Sequence, residues 1–413
     1  MADSREEKPR RGRWLNRTIL AIGLASLLSD MGHEMGSVAM PALLTALGVA
    51  NASALLGLIE GLADGAASFA KLYSGLYSDR LQRRKPLAVA GYFVTAFGMA
   101  SFALATQWWH VLFGRVGAWI GRGARSPVRK VLLAEASTPE SYGRAFGLDR
   151  SMDSAGAVVG PLLAALFMRK LVAPGLAGLQ WLFAFTFIPG SLAALSIGLL
   201  VREGPHPPKP HARLWKNLGA LPRPFKEYLL GIGIAGLGDF SNTLLILWAT
   251  QAWQKRYGLD AAAAQAILFY VGYNVVYTIS CYAAGWLADR FAKHWVLAVG
   301  YGLAAVPAVA LLLPGDSPLK FAIVFGFSGL YMGLWETVES ATAATLLPGE
   351  IRGTGFGALE TVSGLGDIFS SVMIGWLWTI SRGGAMGFVI LTSLAGAAIV
   401  AHVGRRSLRR EAR

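Results

Sequence analysis

The chain has 413 residues, of which 54% are hydrophobic and only 15% charged, with a mean hydropathy of +0.47. Soluble domains carry about 25% charged residues, so this composition excludes an ordinary soluble enzyme. At roughly 20 apolar residues per crossing, it suits about twelve membrane spans. The net charge of +14 lies in loops between apolar segments, which is the pattern of membrane orientation and not of nucleic-acid binding. The single cysteine, Cys281, sits within an apolar segment, so neither a disulfide framework nor a thiolate metal site can be built.

Residues 1–17 form a basic tail. The apolar segment that follows is too long, and too acidic midway, for a signal-peptide core, so no cleavage is expected. Segment 1, about 18–47, carries Asp30, His33 and Glu34. Segment 2, about 52–78, carries Glu60 and Asp64 four residues apart on one helix face, with Lys71 lower down. Segment 3 covers about 87–106. Segment 4 follows the interfacial pair Trp108-Trp109 and holds Arg115, Arg122, Arg125, Arg129 and Lys130, an expensive set to place in lipid. Segment 5, about 144–168, opens with Asp149, Arg150 and Asp153 and continues through Gly156, Gly160 and Pro161. Segment 6 covers about 178–201.

The stretch 202–225 is basic, proline-rich and aperiodic, and reads as a linker between an N-terminal bundle (18–201) and a C-terminal bundle (226–404). Segments 7 to 12 fall at about 226–252, 262–288, 294–314, 319–346, 353–380 and 384–404, before a basic tail over 405–413. Lys and Arg concentrate in the two tails, in 80–85, in the linker and in 290–293. The positive-inside rule then places both termini in the cytoplasm.

Between segments 2 and 3 stands Gly75-Leu-Tyr-Ser-Asp79-Arg80, followed by Arg83-Arg84-Lys85. A second copy, Gly285-Trp-Leu-Ala-Asp289-Arg290 with Lys293, stands 210 positions later. Both read G-x-x-x-D-R-x-x-[RK]. The glycine permits close helix approach, and the aspartate is placed to accept hydrogen bonds from a neighbouring helix N-terminus or an arginine. The same offset aligns Gly123 with Gly333, Gly143 with Gly353, Phe146 with Phe356 and Gly156 with Gly366. The repeated turn resembles the loop 2–3 and loop 8–9 signatures of the major facilitator superfamily, although Gln82 stands where that family commonly has glycine. The resemblance covers essentially the whole chain and is closest to a prokaryotic branch. It implies an all-α membrane protein of twelve transmembrane helices in two pseudo-symmetric six-helix bundles, placed in a bacterial or archaeal cytoplasmic membrane. It also implies a gating role for Gly75, Asp79, Arg80, Arg84, Arg129, Gly285, Asp289 and Arg290. Gly156-x-x-x-Gly160-Pro161 resembles the segment 5 motif of exporting antiporters, with Leu163-Ala164 in place of its closing glycine pair.

A charge near mid-membrane needs a partner or water. At ~1.5 Å per residue, Asp30, Glu34, Glu60, Asp64 and Arg122 share a central depth, so acids of segments 1 and 2 and Arg122 form one candidate cluster for protons or substrate. Arg115 joins it, with Asp239 (209 positions after Asp30), Tyr270 and Asn274 as second-half candidates for the pathway. Asp149, Arg150 and Asp153 read as pairing with segment 4, and Lys130 reads as a cation snorkelling to the interface. His33 is expected to hydrogen-bond or relay protons and not to bind metal. No G-x-x-x-x-G-K-[ST] phosphate loop and no nucleophile–base arrangement is present, so neither ATP drive nor catalysis is expected.

The expected function is secondary active transport of a small solute, coupled to protons and directed outward, by a monomer without cofactor, metal or nucleic-acid partner. Uptake of an anionic metabolite or metal chelate is the alternative within transport. A non-transporting membrane sensor on the same fold is the alternative outside it.

Overall fold

The computed structural model describes residues 14–49, 52–170, 175–204, 214–239 and 242–411. In the first half, α1 (Arg17–Ala46), α2 (Ala52–Arg80), α3 (Lys85–Ala100), α4 (Trp108–Glu135), α5 (Tyr142–Lys170) and α6 (Leu176–Leu200) make six spans. The expected linker contains a short helix, α7 (Leu214–Ala220). The second half holds α8 (Arg223–Gly236), α9 (Asn242–Tyr257), α10 (Leu259–Arg290), α11 (Lys293–Leu303) and α12 (Ala305–Leu312). It ends with α13 (Pro318–Leu346), α14 (Arg352–Ile380) and α15 (Arg382–Glu411), so that helix runs on into the expected tail.

Two spans expected as single helices are broken, and each break has a local cause. Span 7 divides into α8 and α9 after a pair of tight turns, in which Gly238 N–H donates to Ala235 O and Asp239 N–H to Gly236 O. Gly238 permits this by having no side chain, since a Cβ there would strike Thr392 Oγ1 of α15. Span 9 divides into α11 and α12 at Ala304, three residues before Pro307, whose missing N–H interrupts the hydrogen-bond ladder. Side-chain caps start other spans: Asn16 Oδ1 accepts from Ile19 N at 3.0 Å and Ser317 Oγ from Lys320 N at 3.3 Å.

By length and hydropathy alone, seven described helical stretches qualify as membrane spans. Those that do not qualify include α1, α2, α4 and α14, which carry buried charged residues such as Asp30, Asp79, Arg115, Arg125, Arg129 and Glu360. These charges, and the division of span 7 into helices of 14 and 16 residues, keep a hydropathy count below twelve.

The apolar core divides unevenly. One cluster joins both halves at the end that holds the start of α1 and the start of α14, with Ile19, Val128, Phe146, Trp335, Phe356 and Leu359 among its members. At the opposite end each half has a core of its own, one built around Met35, Phe102 and Phe183 and the other around Trp248, Trp253 and Phe325. The halves are therefore fused at one end and separately packed at the other. Lipid gives apolar side chains little reason to associate, so close backbone approach and polar contacts hold the fused end.

The pseudo-two-fold axis is visible in residues 210 positions apart that meet each other. Arg352 Nη2 donates to Tyr142 OH at 3.4 Å, and the Phe146 and Phe356 rings lie 6.0 Å apart.

Candidate functional site

At the fused end the two copies of the repeated turn form reciprocal latches. Asp79, buried at the end of α2, accepts from Gly353 N and Thr354 N, each at 2.8 Å, and from Thr354 Oγ1 at 2.6 Å. These donors are the exposed N–H groups of the first turn of α14, so the carboxylate both satisfies them and meets the positive end of the helix dipole. Asp289 does the same to α5, accepting from Gly143 N at 2.7 Å, Arg144 N at 3.0 Å and Arg144 Nε at 2.7 Å. The glycines are needed for contact: a Cβ on Gly75 would strike the carbonyl of Gly353, and one on Gly285 that of Gly143. Gly285→Leu is accordingly expected to pry the halves apart at this end, read as a loss of cross-linking between cysteines placed at the ends of α5 and α10.

Behind the first latch, Arg84 is fully buried. It pairs with Glu135, lies 4.0 Å from Asp79, and donates from Nε to Ser78 O at 3.2 Å. Arg80 and Arg290 close the two helices, with the Arg290 guanidinium over the Trp286 ring at 3.8 Å. Arg129, expected at the latch, points elsewhere. It reaches Asp149 at 3.6 Å and Asp153 at 3.3 Å and donates to Ser26, joining α4 to α5 and α1 within the first half.

Above the latches lies a cavity of about 380 Å³ between the halves. Its charge is divided by wall. All six cations lining it, Lys71, Arg122, Arg125, Arg129, Lys130 and Arg150, come from the first half, whereas five of its seven carboxylates, Asp239, Glu336, Glu339, Glu360 and Asp367, come from the second. Two pairs cross the gap. Lys130 Nζ lies 3.0 Å from Glu360, which also accepts from Ser126 Oγ at 2.7 Å. Arg150 pairs with Glu336, whose carboxylate also takes the Tyr277 hydroxyl, while its own half supplies Asp153 at 2.6 Å. Lys130 is thus turned into the protein and not toward the interface. Depth in the membrane follows from chain position, but the direction in which a side chain leaves its helix does not.

The candidate cluster of α1, α2 and α4 separates into two sites. Asp30 pairs with Arg122 at 3.2 Å. Glu60 instead takes Arg115 in a bidentate pair, Nη2 to Oε1 at 2.7 Å and Nε to Oε2 at 3.1 Å. Arg115 further donates to Ser37 Oγ at 3.0 Å and stacks its guanidinium 3.4 Å over Trp119, which leaves it little capacity for an anionic solute. Trp119 Nε1 donates to the exposed Asp64 at 2.7 Å, and His33 packs against the same indole at 4.4 Å, with its Nε2 3.6 Å from Glu34.

In the second half, Asp239 lies in the break of span 7 and accepts from Tyr331 OH at 3.2 Å. Tyr270 stacks on Tyr273 at 5.5 Å, while Asn274 Nδ2 donates to Tyr270 O at 2.9 Å within its own helix. Gly156 and Gly160 bring α5 onto α1, where Cβ atoms would meet the carbonyls of Leu27 and Met31; Pro161 follows in the same helix.

Glu336 and Glu360 are central here; the sequence shows them among the intramembrane acids of segments 10 and 11, but not their partners. The signal that finds them is the repeat offset, which equates Ser126 with Glu336 and Arg150 with Glu360. The observed contacts, Ser126 to Glu360 and Arg150 to Glu336, are related to each other by that exchange.

Paired six-span halves, reciprocal latches at one end and a charged cavity between them define a membrane transporter. The family model "Major Facilitator Superfamily" matches residues 22–371, and the chain belongs to that family. An uncharacterized MFS-type transporter of Methanocaldococcus jannaschii is 27% identical over 376 residues, covering 89% of this chain and 90% of the relative. The multidrug resistance protein MdtH of Salmonella arizonae is 23% identical over 307 residues, covering 72% and 71%. Among solved structures, the transporter FucP in the outward conformation aligns with TM-score 0.75 at 17% identity, over 94% of this chain and 97% of that one. A bacterial homologue of the iron transporter ferroportin aligns with TM-score 0.68 at 16% identity, over 95% and 99%.

Proposed function

We propose that the chain is a proton-coupled secondary transporter of a prokaryotic cytoplasmic membrane, with both termini in the cytoplasm, that exports a small organic solute. The observation that carries this reading is the difference between the two ends. One apolar core and two latches fuse the halves at the cationic end, and the opposite ends pack separately. With the cationic end inside, this state is open outward, and release of the latches converts it to the inward-open state.

Proton coupling rests on Asp30 and Glu34. Both lie on one face of α1 and open toward Arg122, and protonating Asp30 removes the charge that holds that arginine. Similarity to MdtH, together with the close packing of Gly156 and Gly160 on α1, supports the outward direction. The test uses everted vesicles holding a proton gradient reported by an acridine dye, with solutes added singly from a library. Solute-evoked dequenching in the wild type is expected to fall at least tenfold in Asp30→Asn and Glu34→Gln. Undiminished proton flux in both variants contradicts the coupling assignment, and solute movement along the opposite gradient contradicts the direction.

A further inference from the structure

We infer that the transported solute is dipolar, carrying an anionic and an amine-type cationic group on one small skeleton. This inference deepens the transport reading and rests on it. It starts from which cavity charges remain once the internal pairs are formed. Arg122, Arg129, Lys130 and Arg150 each lie within ion-pair distance of a carboxylate. Glu336 and Glu360 are engaged by those same cations, and Glu339 accepts from Trp335 Nε1 at 2.5 Å and Ser363 Oγ at 3.0 Å.

Two groups of opposite sign lack a direct partner, although the Lys71 charge acts through space on Asp367 and on Glu360. Among the described residues, neither the Lys71 ammonium of α2 nor the Asp367 carboxylate of α14 has a hydrogen bond or ion pair, yet both line the cavity. They belong to opposite halves and to the two helices that the Asp79 latch joins. The ammonium lies beside α14: a Cβ on Gly364, one turn before Asp367, would stand in ordinary contact with it, 3.6 Å from Lys71 Nζ.

A solute with one charge would pair directly with Lys71 or Asp367 and leave the other without a direct contact. A dipolar solute engages both, with its anionic group at Lys71 on the cationic wall and its ammonium at Asp367 on the acidic wall. A cavity of about 380 Å³ sits at the small end of ligand sites, which suits amino-acid-sized compounds. Because the two groups lie on different halves, the solute also bridges the surfaces that must move past one another, so its binding bears on the conformational equilibrium directly.

The experiment follows thermal unfolding of the full-length chain in lipid nanodiscs against charge-matched triads: β-alanine with propionate and propylammonium, and phosphoethanolamine with ethyl phosphate and ethanolamine. A dipolar member is expected to raise the Tm at a concentration at least tenfold below either singly charged relative. Lys71→Gln and Asp367→Asn are each expected to abolish that preference, while Lys71→Arg retains it. The ligand-free Tm of every variant identifies any that merely fails to fold. Equal shifts from singly charged compounds, or no shift from either dipolar compound, overturns the inference. Double-label distances across the two ends, recorded on the same samples, separate the outcomes: continued exchange between two states leaves the transport reading intact when the dipolar preference fails. A dipolar preference without exchange removes transport and leaves the binding site.

Discussion

Asp79→Asn is expected to open the fused end of the molecule. The carboxylate receives three hydrogen bonds from the first turn of α14, two of them from backbone N–H groups with no partner inside their helix. Bonds to a charged acceptor contribute about 1.5–3 kcal/mol each. The amide keeps one acceptor oxygen and presents an NH₂ to donors, so at least one bond becomes a repulsion and the dipole interaction is lost. A net loss of about 3 kcal/mol corresponds to roughly a hundredfold shift in a two-state equilibrium. The readout is maleimide labelling of Ser340→Cys, a buried residue on the cavity wall, in a Cys281→Ala background. Labelling from the latch side is expected to rise by one to two orders of magnitude, without a comparable fall in protein yield. Asp79→Glu is not expected to rescue, because the added methylene displaces the carboxylate from Gly353 N and Thr354 N, each 2.8 Å from Asp79.

Arg150→Met is expected to have the largest effect on stability. This guanidinium serves Asp153, Glu336 and the Tyr277 hydroxyl at once. Removing it leaves Glu336 without its cation and Asp153 with Arg129 alone. Because the pair is 29% and 31% exposed, the cost falls below the roughly 3–5 kcal/mol of breaking a fully buried pair. Arg150→Lys recovers only part of this, since a point charge does not fork between two acids. Adding Glu336→Gln to Arg150→Met removes one orphaned charge, so the double variant is expected to be more stable than Arg150→Met alone. A double-mutant cycle on the midpoint of thermal unfolding measures the coupling, expected at about 1.5–3 kcal/mol. Additive effects would show that the pair is not formed in the membrane.

The sequence reveals the latches clearly because they depend on few residues. Two glycines permit backbone contact, and an aspartate meets a helix N-terminus that the fold must present. The repeat offset of 210 locates both copies, and also relates Tyr142 to Arg352 and Ser126 to Glu336. Azimuth around a helix is what sequence does not supply. Depth alone puts Glu60, Asp30 and Arg122 in one layer, whereas Glu60 leaves α2 toward Arg115. Lys130 has the composition of an interfacial cation, yet it leaves α4 toward Glu360. The break in span 7 is hidden for a different reason. Glycines such as Gly236 and Gly238 are common in membrane helices, and only the packing of Thr392 of α15 against Gly238 shows that this position takes no side chain.

The proposed transport depends on the two halves moving as bodies about the charged cavity. The most direct measurement is a pair of spin-label distances on the full-length chain in nanodiscs, one across the latch end (α2 to α14) and one across the opposite end (α1 to α9), recorded as pH is lowered from 8 to 5. Opposed changes are expected, with one distance lengthening as the other shortens, and Asp79→Asn is expected to displace both in the direction of an open latch end. Distances that stay fixed, or that lengthen and shorten together, would contradict it.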